Sequence, residues 1–157
     1  MLTSPTHVPN AIWASAGAAE GETELNAFDN ALLAARVGNL NLIRVSSVLP
    51  QDALVLEEPP RITPGALVPT VYSVQVSDRP GETIAAAIGI GVAEGSHGMI
   101  FESHGRSRTE VEAAVRHMID EGFARRGLQL KEIIVRSIEH KVERIGCAVA
   151  AAVLWWR

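Results

Sequence analysis

The sequence predicts an α/β layered domain, and three features predict it. Apolar and β-branched segments that read as strands recur along the chain. Two segments whose apolar residues fall at three- and four-residue steps interrupt them as helices. No repeat of fixed period is visible, which sets aside solenoids and propellers. At 157 residues the chain can bury one good core and is too short for two, so residues 1–157 are read as a single domain.

The elements follow in order. The first ten residues carry Pro5 and Pro9 and little periodicity, and read as an irregular lead-in. Ile12 to Ala19 is a small-residue strand. From Leu25 to Val37, Leu25, Phe28, Leu32 and Ala35 form a helical stripe, which Gly38-Asn39 is expected to cap. Leu40 to Val45 is a β-branched strand running into Ser46-Ser47, and Pro50 breaks it. Residues 57–65 hold Pro59, Pro60 and Pro64 and predict an extended, exposed loop. Val68 to Val76 and Thr83 to Val92 are strands joined by the turn signal Ser77-Asp78-Arg79-Pro80-Gly81, so a hairpin is expected. Gly98 to Glu102 is a short strand.

Ser107 to Arg126 is the clearest helix, with Val111, Val115, Met118, Ile119, Gly122 and Phe123 on one stripe. Ser107-x-x-Glu110 is a capping box, and Arg125-Arg126-Gly127 ends the helix as its dipole favours. Leu130 to Glu143 and Gly146 to Trp156 complete the list as strands.

Composition narrows the function classes. Apolar residues make up 47% and charged residues 20%, the balance of a folded soluble domain. A net charge of −4, with Lys and Arg scattered, offers no basic stripe for phosphates, which argues against nucleic acid and suits a cationic small molecule better. The N-terminus lacks the positive and apolar regions of a signal peptide, so a cytoplasmic location is expected. The apolar run from Gly146 to Trp156 falls short of the roughly 20 residues that span a bilayer, so no membrane partner is expected. Cys147 sits in that run and reads as a small core residue.

Common sites are missing. Gly89-x-Gly91 followed by Gly95 has the wrong spacing for a dinucleotide loop. His7, His97, His104, His117 and His140 show neither His-Glu-x-x-His pairing nor cysteines at zinc spacing, so no metal is expected. His117 falls on the polar side of its helix. His104 is two residues from Glu102 and could tune it.

The unusual junction is Arg44-Val45-Ser46-Ser47-Val48-Leu49-Pro50, where two hydroxyl residues interrupt a strand just before a turn. A Ser-Ser pair alone most often satisfies turn backbone groups. Its flanks carry more. Glu20-Gly21-Glu22-Thr23-x-Leu25-Asn26-Ala27-Phe28-Asp29, Gly38-Asn39-x-Asn41-Leu42-Ile43-Arg44-x-Ser46-Ser47, Gly65-Ala66-Leu67-Val68-Pro69-Thr70, Ser77-Asp78-x-Pro80-Gly81-Glu82-Thr83-Ile84 and Gly146-Cys147-Ala148-x-Ala150-Ala151-Ala152-x-Leu154-Trp155 run in one order. In these segments, from residue 12 onward, the chain resembles the pyruvoyl-dependent arginine decarboxylases.

The resemblance implies a four-layer αββα sandwich of the pyruvoyl-dependent histidine/arginine decarboxylase type. It also implies cleavage of the Ser46–Ser47 bond into chains 1–46 and 47–157. The Ser47 hydroxyl would attack the Ser46 carbonyl carbon, and the resulting ester would eliminate to dehydroalanine, which hydrolyses to a pyruvoyl group and ammonia. Asn41 is the expected helper of that processing. The pyruvoyl ketone would take the substrate amine as a Schiff base and act as the electron sink, so neither pyridoxal phosphate nor metal is required.

By the same resemblance Glu102, in Met99-Ile100-Phe101-Glu102, is the proton donor and Asp29 receives the guanidinium of L-arginine. A carboxylate can hold a planar guanidinium through two parallel charge-assisted bonds. Leu32 is the expected wall for the substrate methylenes. The product would be agmatine, which feeds polyamine synthesis. Active sites between subunits of a homotrimer, or of a dimer of trimers, are implied too. Two other readings stay open: a pyruvoyl decarboxylase for another amino acid such as histidine, and an uncleaved homologue acting as an assembly or binding protein. Aspartate as substrate conflicts with a carboxylate at position 29.

Overall fold

The computed structural model describes residues 7–46 and 48–157. In chain order they form β1 (Ala11–Glu20), α1 (Glu24–Ala34), β2 (Asn41–Arg44), β3 (Val48–Leu49), β4 (Leu54–Val55), β5 (Leu67–Ser77), β6 (Thr83–Ala93), β7 (Gly98–Gly105), α2 (Arg108–Arg126), β8 (Leu130–Lys141) and β9 (Gly146–Trp155). The strands make a five-stranded sheet, β2-β5-β9-β1-β4, and a four-stranded sheet, β3-β7-β6-β8. Helix α1 covers the outer face of the first sheet and α2 that of the second. The layers therefore run α1, sheet, sheet, α2, the four-layer sandwich that the resemblance implies.

The apolar patterning explains this stacking. In β6, Ile84, Ala86, Ile88 and Ile90 turn inward and meet Ala148, Ala150, Ala152 and Leu154 of β9 between the sheets. The alternate residues Ala85 and Ala87 pack under Val111 and Val115 of α2. Cys147, Val149 and Val153 of β9 face Ala27, Ala31 and Leu32 of α1. Strands covered on both faces read as continuous apolar runs, which is why β6 and β9 lack polar alternation.

Helix α2 ends as expected. Ser107 accepts the Glu110 amide at 3.1 Å, and Gly127 takes the left-handed conformation at φ 63. The Glu110 carboxylate accepts the Arg106 amide at 3.3 Å, one residue outside the expected box. Helix α1 departs from expectation at its end. It stops at Ala34, and Arg36, not Gly38, is left-handed at φ 67. The Arg36 amide donates to Leu33 at 2.9 Å and the Val37 amide to Leu32 at 3.0 Å, the pair of bonds that closes a helix around a left-handed residue, and the Arg36 guanidinium reaches Glu58 at 3.5 Å. Gly38 instead makes room, since a Cβ there would come within 2.6 Å of the Leu33 side chain.

The expected hairpin between β5 and β6 is not one. The turn at residues 78–82 is real, but β5 belongs to the five-stranded sheet and β6 to the four-stranded one. Gly81 donates to the Val142 carbonyl at 2.7 Å, and Val142 donates back to Glu82 at 2.8 Å. The turn thus pairs with the end of β8 and carries the chain from one sheet to the other.

Candidate functional site

Strand β2 runs parallel to β5, from Asn41 opposite Leu67 to Arg44 opposite Thr70, and the Val45 amide extends it by donating to Thr70 at 3.2 Å. The chain then changes sheets. Val48 and Leu49 pair with Met99 and Gly98 of β7. The Ser46–Ser47 bond therefore belongs to the crossing between the two sheets. Ser46 is exposed, and Ser47, the expected pyruvoyl precursor, lies outside the described residues.

Both ends of the crossing are tied down. Val45 packs on the core between the sheets, and Leu49 is buried in it. A break between residues 46 and 47 would leave Val45 bonded to Thr70 in one sheet and Val48 paired with Met99 in the other. A covalent group made at position 47 would adjoin Val48, which pairs with Met99 of β7.

Glu102 stands on β7 opposite Ile88 of β6 and shares that residue's inward face. It is half-buried, and β3 pairs with β7 only at Met99 and Gly98, which leaves Glu102 beyond the paired segment. Asn41 shares a strand face with Val45, and its Nδ2 donates to the Gly65 carbonyl at 2.9 Å. That bond ties the start of β2 to the end of the proline-rich loop. Val45 and Glu102 thus face the space between the sheets, while Asn41, four residues before Val45 on the same strand face, is exposed.

Asp29 and Leu32 lie elsewhere. Both are on α1, across the five-stranded sheet from Glu102. Asp29 is exposed, with Leu25 and Leu33 one turn to either side at 75% and 49% exposure. Leu32, the expected substrate wall, is packed against Ala27, Ala31 and Val149 at 8% exposure. One chain therefore carries Asn41 and the crossing on the β2 edge, Glu102 on β7 of the other sheet, and Asp29 on α1 across the five-stranded sheet. Leu25, read in the sequence as part of the apolar helical stripe, is exposed, and four-residue spacing puts it and Leu33 on the stripe of Asp29. Cavities among the described residues, one of about 530 Å³ beside Leu49 and Lys131 and one of about 450 Å³ beside Glu20 and Asn30, include neither Glu102 nor Asp29.

A second acid–histidine couple sits at another point between the sheets. His140 Nε2 of β8 lies 2.6 Å from Glu20 Oε2 of β1, and Glu20 Oε1 accepts the amides of Arg144 at 2.7 Å and Glu143 at 3.2 Å. Burial works against the Glu20 charge, but the hydrogen bonds from His140 and the two amides outweigh it, and the carboxyl titrates below its ordinary value. A Cβ at Gly146 would come within 2.5 Å of Glu20 Oε2, so only glycine leaves room for this pair. Burial pushes the Cys147 thiol up to about 12, which suits the core role read from its sequence and no nucleophilic one.

The two helices and two sheets have the αββα arrangement of a pyruvoyl decarboxylase. The family model described as pyruvoyl-dependent arginine decarboxylase matches residues 11–156. A protein of that name from Methanocaldococcus jannaschii is 48% identical over 153 residues, 96% of this chain and 92% of its own. One from Pyrococcus horikoshii is 50% identical over 142 residues, 88% of this chain and 90% of its own. One from Methanococcus maripaludis is 45% identical over 159 aligned positions, 99% and 96% respectively. The chain belongs to the pyruvoyl-dependent arginine decarboxylase family. It is accordingly a carboxy-lyase with a covalent pyruvoyl cofactor and no pyridoxal phosphate. Among the described residues no helix is long and apolar enough to cross a membrane.

Proposed function

We propose that this chain is a cytoplasmic enzyme that converts L-arginine to agmatine and carbon dioxide, after serinolysis at Ser46–Ser47 has made chains 1–46 and 47–157 of its single domain. The observation that carries the reading is the anchored crossing, with Glu102 on the neighbouring inward face. The pyruvoyl group supplies an electron sink for the carbon that loses carbon dioxide. Glu102 delivers a proton to that carbon. Asn41, fixed through Gly65, supports the crossing during processing.

Asp29 takes the guanidinium. Its place across the sheet from Glu102 means that the reading needs two subunits, one giving Asp29 and the other the crossing. A homotrimer, or a dimer of trimers, supplies such pairs. Leu25 and Leu33 flank Asp29 with exposed apolar surface suited to burial against a neighbour. In that arrangement Leu33 presents an apolar side to the substrate methylenes and Leu32 backs it from the core.

Carbon dioxide release from arginine, histidine and lysine tests the substrate. Arginine is expected to be turned over, and lysine poorly, because an ammonium cannot make the paired bonds of a guanidinium. Release from histidine with none from arginine would sink the substrate assignment.

A further inference from the structure

Decarboxylation breaks one C–C bond, forms one C–H bond with the electron pair left behind, and takes up one proton per turnover. A half-buried Glu102 that gives this proton must regain it from water before the next cycle. The geometry points to His104 as the residue that returns it. This inference rests on the reading of Glu102 as proton donor.

His104 and Glu102 are same-face neighbours on β7. They stand opposite Ala86 and Ile88 of β6, two inward-facing core residues, so both project to the side of the opposing sheet. Same-face residues on a strand are about 7 Å apart at Cα, a gap between two such side chains that one water can bridge. The exposures grade in the right direction, since Glu102 is half-buried and His104 exposed.

The other charged groups near this face are committed or remote. Arg106, next along the chain, is paired with Glu82 at 3.2 Å, and Glu82 also accepts the Ser77 hydroxyl at 3.1 Å. Across from β7, the inward residues of β5 are Val71, Ser73 and Gln75, which are uncharged, and Ser73 donates to Ala87 at 3.3 Å. On β8, Arg136 stands opposite Ile88 with a whole strand between it and Glu102, and it donates to the Val135 carbonyl at 3.0 Å. Arg44 of β2 is stacked over the Tyr72 ring at 4.0 Å. Among the described residues, that leaves His104 beside Glu102 as the titratable group on this face open to water. It touches no reacting atom and acts through Glu102, so it is a positioning and relay residue.

The experiment compares kcat against pH for the processed enzyme and its His104→Ala and His104→Gln variants. The expected result is a kcat lowered roughly 10- to 100-fold, an unchanged KM for arginine, and a fall with rising pH that begins earlier than in the parent. Added imidazole should restore His104→Ala in proportion to its protonated form. Parent-like kcat and pH profile in both variants would overturn the relay, as would a loss that imidazole does not repair. Glu102→Gln separates the two levels. Full activity in that variant removes the donor itself, whereas an inactive Glu102→Gln beside an indifferent His104→Ala removes only the relay. His104 is exposed, so substitution is expected to leave folding and cleavage intact, which intact mass checks.

Discussion

Two glutamate–histidine couples face the space between the sheets, and they differ in how completely the protein has used them. Glu20 is saturated: His140 and two backbone amides hold its carboxylate, and Gly146 makes room for the contact. Glu102 and His104 sit on one strand face, past the short β3 pairing, at the edge where the chain crosses between sheets. The same residue types thus serve as a brace in one place and remain available to chemistry in the other. The difference lies in partners and edge position, not in the side chains.

The largest expected effect removes the group on which the proposed role of Glu102 depends. Ser47→Ala should fold, remain one uncleaved chain and release no carbon dioxide from arginine, as gel mobility and activity together would report. Glu102→Gln should still cleave, with kcat reduced about 10²- to 10⁴-fold. Cleavage without that loss would make the Glu102 couple no more catalytic than the Glu20 one. Asp29→Asn keeps the shape and removes the charge that is proposed to hold the guanidinium. A loss of roughly 10- to 100-fold in kcat/KM is expected, visible in steady-state assays with arginine.

The smallest effect sharpens the other side of the comparison. The Glu20 carboxyl titrates below its ordinary value in the folded chain, so the fold favours its charged form. That contribution is present above the ordinary carboxylate range and is lost as pH falls through the lowered folded value. Glu20→Gln should cost about 1–2 kcal/mol near neutrality and flatten the acid side of a stability–pH curve from urea titrations. It should leave the kcat profile in place. A changed kcat profile with unchanged stability would reverse the roles assigned to the two couples.

Much of the layering was legible from residues alone. The continuous apolar runs of β6 and β9 announced strands buried on both faces, and Ser107 and Gly127 marked α2 through local capping chemistry. What was not legible depends on partners distant in sequence. The 77–81 turn reads the same whether its strands pair or separate, and the bonds from Gly81 and Glu82 to Val142 decide it. The α1 end was misread because Gly38 offers freedom that Arg36 takes instead, where the Arg36 and Val37 amides close the helix on Leu33 and Leu32. Strands β3 and β4 have two residues each, too short for alternation to register. For the site, Ser46, Ser47, Asp29 and Glu102 were found through resemblance to a family. Periodicity could not reveal that Asp29 lies across a sheet from Glu102, because that is a property of the layers.

The crossing between β2 and β3 is the centre of the account, and the intact mass of the purified protein tests it most directly. Two chains corresponding to residues 1–46 and 47–157, the second beginning with a ketone in place of an amine, are the expected result. A single unmodified chain of 157 residues, from folded protein, would contradict it.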